Sequence, residues 1–179
     1  RRVLGVIRPT AECIGQITHS RHVGILATSG TISSGSYPLE IRKLYPDIVV
    51  SGEACPMWVP LVENYEYDSP GADYFVEKRI GNLLRKDPAI DTIVLGCTHY
   101  PLLLNKILKY TPRNVRIVPQ GEYVAYSLKD YLQRHTEIET LCTQSGTCRF
   151  LTTESPDKFM ESASIFLRQH VEAERVVLE

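Results

Sequence analysis

The sequence has no Cys-x-x-Cys pair, and its five cysteines (Cys13, Cys55, Cys97, Cys142 and Cys148) make an odd count. That pattern fits neither a disulfide framework nor a zinc ribbon, so reduced thiols are expected. There is no excess of positive charge: 20 Lys and Arg against 21 Asp and Glu leave a formal net charge of -1. Binding phosphates needs a basic face, so no nucleic-acid partner is expected. No apolar run approaches the roughly 18 residues of a membrane span, and Arg1-Arg2-Val3-Leu4 lacks the apolar core of a signal peptide. No membrane partner is expected, and the cytoplasm is the expected compartment. Repeats of solenoid period and low-complexity tracts are lacking too. The chain opens on Arg1 rather than methionine, which raises the expectation of a piece of a longer protein. Its 179 residues suffice to bury a sizeable core.

What is present is an alternation of short β-branched runs with helical patterns. Val3–Ile7 reads as a strand, Pro9 as the opening of a helix through about Ile17, and Val23–Ala27 as a second strand. The segment Thr28 to Ser36, crowded with hydroxyls and glycines, is either a polar connection or a cradle of donors suited to a carboxylate. A helix from about Tyr37 to Leu44 and a strand at Ile48–Val50 follow. Pro56 and Pro60 rule out a long helix in the next crossover, with Trp58 and Leu61 as core anchors. Cys55 reads as packed. Glu63 is either a solvated acid or, after an apolar run, a partly buried one in which the protonated form would be favoured. Ala72 to Leu84 has the spacing of an amphipathic helix, Val115–Val118 reads as a strand, and Glu122 to Leu132 as a helix. Repeated β-α alternation predicts a three-layer α/β/α domain with a mainly parallel, doubly wound sheet.

Beyond about Gln133 the pattern changes. Ile138–Thr143 and Cys148–Thr153 flank Gln144-Ser145-Gly146-Thr147 and predict a hairpin, with Cys142 and Cys148 as reduced core thiols. Ser155-Pro156-Asp157 starts a helix through about Leu167, and Arg175–Leu178 reads as a last short strand.

The most informative stretch is Asp91 to Leu104. Ile93, Val94 and Leu95 read as a buried strand, Gly96 ends it, Cys97, Thr98 and His99 form a bend, and Pro101 suits a first helical turn. This is a strand-to-helix elbow carrying a thiol. In an open α/β sheet such elbows lie at the carboxyl ends of strands, where ligands bind and where backbone N–H groups favour a thiolate. A lone cysteine is more often a small packed hydrophobe. The string Gly96-Cys97-Thr98-His99-Tyr100-Pro101-Leu102 is more specific, and it resembles the second active-site signature of the cofactor-independent glutamate racemases. Val3-Leu4-Gly5-Val6-Ile7-x-Pro9, Leu26-Ala27-Thr28-x-Gly30-Thr31 and Ala54-Cys55-Pro56-x-x-Val59-Pro60-Leu61-Val62-Glu63 resemble other motifs of that family, in the same order.

The resemblance implies two similar α/β halves facing one cleft, with a cysteine from each exchanging the α-proton of glutamate, in a homodimer. It implies no pyridoxal phosphate, other cofactor or metal. By resemblance Cys97 is one catalytic cysteine, His99 and Glu63 are its polar partners, and Thr98, Thr28 and Thr31 help hold the substrate. The family's other cysteine motif and its early Asp-Ser pair are absent, and Pro119-Gln120 stands where a second Asp-Ser is usual. The chain therefore reads as a carboxyl-terminal portion: residues 1–120 as the second half, residues 121–179 as a segment returning to the first. Glutamate is the expected substrate, aspartate the alternative.

Three other readings are open. Cys97 could be a covalent nucleophile with His99 as base, although residues two apart around a bend seldom put an imidazole on the sulfur. Cys97, His99 and Glu63 or Cys55 could form a metal site, with poor spacing. Or the segment could be a non-catalytic α/β binding module.

Overall fold

Parallel strands need a covering segment between them, and the apolar runs of this chain leave room for one or two helices between successive strands. The computed structural model, which describes residues 4–178, has that arrangement. It comprises two compact units divided between Arg134 and His135.

In the first unit β1 (His22–Ala27), β2 (Val49–Ala54), β3 (Thr92–Leu95) and β4 (Arg116–Pro119) form an all-parallel sheet in the order β2-β1-β3-β4. Leu26 of β1 lies opposite Leu95 of β3, and Leu95 opposite Pro119 of β4. Side chains of a strand alternate between faces. Val23, Ile25 and Ala27, with Val94 and Val118, pack under α1 (Ile7–Ile17) and α3 (Ser36–Leu44), which supply Ala11, Ile14, Tyr37 and Ile41; Tyr123 of α7 (Gln120–Arg134) joins them. The other face is covered by α5 (Pro70–Lys86), whose Ala72, Val76, Ile80 and Leu83 recur at helical spacing and are fully or almost fully buried. These are the three layers expected from the β-α alternation.

The short elements determine where the chain's polar groups go. α2 (Ser29–Ser34) fills most of the hydroxyl-rich segment, capped by Thr28, whose side chain accepts the Thr31 N–H. α4 (Trp58–Glu63) is a single short helix in the proline-containing crossover. After β3, a 3-10 turn (Tyr100–Leu103) runs into α6 (Leu104–Tyr110). The strand order reverses between β1 and β3, because the chain moves from β1 to β2 on one side and then returns to place β3 on the other. The carboxyl ends of β1 and β3 thus flank the crevice where open α/β sheets bind ligands.

The strand expected at Arg175–Leu178 lies earlier, at Ala173–Arg175, and two further expectations fail outright. Of the strand expected at Val3–Ile7, Val3 lies outside the described residues. Leu4 and Gly5 have no regular structure, Val6 begins the turn into α1, and the helix already includes Ile7. The run leads directly into α1, where Pro9 fixes a helical φ in the first turn, and so starts a helix instead of finding a sheet edge. The hairpin also fails. In the second unit the N–H groups of Ile138 to Cys142 bond carbonyls three or four residues back, around α8 (Thr136–Glu139), and so are not offered to a neighbouring strand. β5 (Phe150–Thr152) instead pairs in parallel with β6 (Ala173–Arg175) across α9 (Pro156–Leu167), a β-α-β unit. Cys142 and Cys148 are exposed, not core thiols, because the turn and loop that carry them have no strand partner.

Candidate active site

Two packing contacts build the site. Tyr100, fully buried, meets the Trp58 ring edge-on at 4.7 Å between centroids, and its hydroxyl donates to the Cys55 carbonyl at 3.3 Å. The Trp58 indole N–H donates to the Phe75 carbonyl at 3.4 Å. The elbow after β3 is thereby fastened to α4, and the last residue of α4, Glu63, arrives beside His99. The Glu63 carboxylate lies 3.0 Å from His99 Nε2, and His99 Nδ1 lies 3.8 Å from Cys97 Sγ. A carboxylate only accepts, so Nε2 carries the proton and Nδ1 faces the sulfur as acceptor from the thiol or, when protonated, as donor to the thiolate.

The arrangement corrects one reading of the sequence and decides between the two left open for Glu63. An imidazole two residues from the thiol does reach it, because the bend at Thr98 and His99 folds back before the 3-10 turn. Glu63 is not partly buried: its side chain is 61% exposed against 30% for His99, since Trp58 and Val62 take the inward face of α4. Cys97 is half-buried and Thr98 exposed. Thr28 and Thr31 are half-buried at the end of β1, and their hydroxyls pair with each other at 3.1 Å. Among the described residues no group of three or more His, Cys, Asp and Glu side chains is arranged to hold a metal ion.

Gly96 lets the elbow pack closely. A side chain there would bring a Cβ within 3.0 Å of Ala27 Cβ and 3.2 Å of the Tyr37 ring, so any other residue would have to push β1 or α3 back by a few tenths of an ångström. Cys55 cannot share the chemistry. It is fully buried, and burial followed by the Glu53 charge pushes its thiol well above the ordinary range. Burial, with some help from Glu12, also raises the Cys13 thiol.

Cys97 and Thr98 line a cavity of about 260 Å³ together with Val6, Leu95, Val124 and Gln120. Gln120 and Tyr37 are the site's unforeseen members. The signals for Gln120 are its place directly after a strand neighbouring β3 and its standing where an Asp-Ser pair is usual in the family it resembles; Tyr37 has none, being one of ten tyrosines. A larger cavity of about 430 Å³ between the start of α1 and α7 contains none of the expected site residues.

The chain is similar to known proteins over most of its length. The family model for Asp/Glu/hydantoin racemases matches residues 3–122. The glutamate racemase of Thermoanaerobacter sp. (strain X514) is 35% identical over 167 residues, 93% of this chain and 62% of that protein. That of Streptococcus equi subsp. equi (strain 4047) is 36% identical over 176 residues, 98% of this chain and 66% of that protein. The crystal structure of glutamate racemase isoform RacE1 from Bacillus anthracis superposes with a TM-score of 0.88 at 31% identity, over 98% of this chain and 65% of that one. The chain thus spans less than two thirds of the length of these relatives. With the family's model covering the whole β1 to β4 sheet and the elbow that carries Cys97, the chain belongs to the Asp/Glu/hydantoin racemase family.

Proposed function

We propose that the chain is the carboxyl-terminal portion of a cofactor-independent racemase that interconverts L- and D-glutamate. Residues 1–120 are one of its two α/β halves and residues 121–179 the segment that returns to the other. The observation that carries the reading is the thiol of Cys97 at the carboxyl end of β3, with His99 and Glu63 in line behind it. Taking the α-proton from an amino acid without an electron sink needs a base held close, a dry site and fixed dipoles on the carboxylate. In this reading the Cys97 thiolate takes the proton from one face and becomes a thiol. A second thiol, outside this chain, delivers a proton to the other face and becomes the thiolate. His99 exchanges a proton with Cys97, and Glu63 orients the imidazole and stabilises its charged form. Thr98, Thr28 and Thr31 hold the substrate's carboxylate or amine. No pyridoxal phosphate or metal enters the step. The longer protein is a cytoplasmic homodimer whose D-glutamate supplies peptidoglycan.

The test is deuterium entry at the α-carbon of glutamate, with optical rotation, in the longer protein. Cys97→Ala is expected to lower turnover by about a hundredfold or more, the scale of a lost general base. His99→Ala and Glu63→Gln are expected to give smaller losses. Residues 1–179 alone are expected to give no racemisation, lacking the opposite base. An undiminished Cys97→Ala enzyme would sink the assignment.

One observation favours a second reading. The Cys97, His99 and Glu63 series has the order of a cysteine-hydrolase triad. A mass increase at Cys97 on incubation with an activated ester, cleared by water with turnover, would favour that reading over the racemase.

A further inference from the structure

β4 ends at Pro119, which has no N–H to give its neighbour β3. The next residue supplies one from its side chain: Gln120 Nε2 donates to the Leu95 carbonyl at 2.9 Å. A carbonyl can only accept, so the amide orientation is determined, and Gln120 Oε1 faces Thr10 of α1, whose hydroxyl donates to it at 3.1 Å. The same amide lies beside the Tyr37 phenol of α3 and favours its ionised form. Tyr37 is almost fully buried, its ring against Gly96. One amide therefore joins α1, α3 and the end of β3, two residues before Cys97, and also lines the cavity that Cys97 opens into.

We propose that Gln120 is a positioning residue for Cys97, holding the end of β3 so that the thiol faces the cavity; its link to catalysis rests on the racemase reading above. On the β1 side the Gly96 N–H donates to the Leu26 carbonyl at 2.8 Å, but on the β4 side the ladder finishes at Leu95 and Pro119, so there the Gln120 amide supplies the next bond. The titratable groups facing Cys97 are His99 and Tyr100 from its own segment, Tyr37 from α3 and Cys55 after β2; Glu63 reaches it through His99. Burial raises the Tyr37 phenol to about 12, with the nearby Gln120 amide opposing that rise, so near neutral pH Tyr37 is neutral.

The experiment is timed iodoacetamide labelling of residues 1–179 across pH, read by mass spectrometry at each cysteine, with the exposed Cys142 and Cys148 as internal references. Gln120→Glu keeps the length but replaces the amide donor with a carboxylate in the Cys97 cavity. It is expected to slow Cys97 labelling at pH 8 by at least threefold and to move its labelling profile to higher pH, with Cys142 and Cys148 unchanged. Gln120→Leu removes the donor without adding charge. It is expected to speed amide hydrogen exchange across residues 95–99 by at least fivefold, with β2 unchanged. Cys97 labelling at wild-type rate in Gln120→Glu, or unchanged exchange across residues 95–99 in Gln120→Leu, would overturn the proposal. These readouts are independent of racemase turnover, so failure of the racemase reading would appear separately, as absence of deuterium exchange in the longer protein.

Discussion

Asp91 stands at the amino end of β3, opposite the end that carries Cys97, and accepts four hydrogen bonds. Thr18 and Thr92 donate their hydroxyls at 2.6 and 2.8 Å, and the His19 and Ser20 backbone N–H groups donate at 2.7 and 2.6 Å. Burial works against the charged carboxylate, but these donors outweigh it and hold Asp91 well below the usual carboxylate range. A depressed carboxyl contributes stability above its unfolded value of about 3.9, and that contribution is lost as pH falls through the folded value. Asp91→Asn presents an N–H₂ group to donors that need an acceptor, so it is expected to cost about 2–4 kcal/mol at pH 7. The deficit should narrow below about pH 4, where the wild-type carboxyl begins to lose its advantage. Urea titrations at pH 7 and pH 3 check this; a deficit equal at both values would contradict it.

At the scale of elements, α1 and α3 meet through Gly15 and Tyr45. The Tyr45 hydroxyl donates to the Glu12 carbonyl at 2.8 Å, and the Arg21 guanidinium stands 5.5 Å from its ring centre. A Cβ added at Gly15 would lie 2.3 Å from that ring. Replacing an interior helical glycine with alanine ordinarily stabilises by about 1 kcal/mol. Here the overlap decides the sign, and Gly15→Ala is expected to destabilise by about 1–3 kcal/mol. In a Tyr45→Ala background the same change should turn stabilising; a cycle of thermal melts in which Gly15→Ala has one sign in both backgrounds would refute the clash. Helix starts were legible where a cap stood in the sequence. Ser155-Pro156 marks the start of α9, and the same signal at Ser69-Pro70 starts α5 two residues before its apolar spacing begins, with Ser69 accepting the Ala72 N–H.

At the scale of the molecule the two units differ in burial. β1 and β3 are almost wholly buried, whereas between residues 135 and 178 Val171 alone is. Amides of β1 and β3 are therefore expected to exchange at least tenfold more slowly than those of α9, β5 and β6, an ordering that mass-spectrometric hydrogen exchange reads directly. Equal protection would be evidence against a weakly buried second unit. The sequence by itself determined the alternation of strands and helices from His22 to Arg134, the parallel sheet, and a thiol at the elbow after Leu95. Each follows from local periodicity and from turn chemistry within a few residues. Only the tertiary structure decided that His99 meets Glu63, 36 residues away, because the packing of Trp58 on Tyr100 is what brings α4 to the elbow. Only the tertiary structure decided that Gln120 joins three elements, that Val6 begins a helix, and that β5 finds its partner beyond α9. Periodicity specifies which face of an element is buried; which distant element lies against that face depends on the packing of the whole unit.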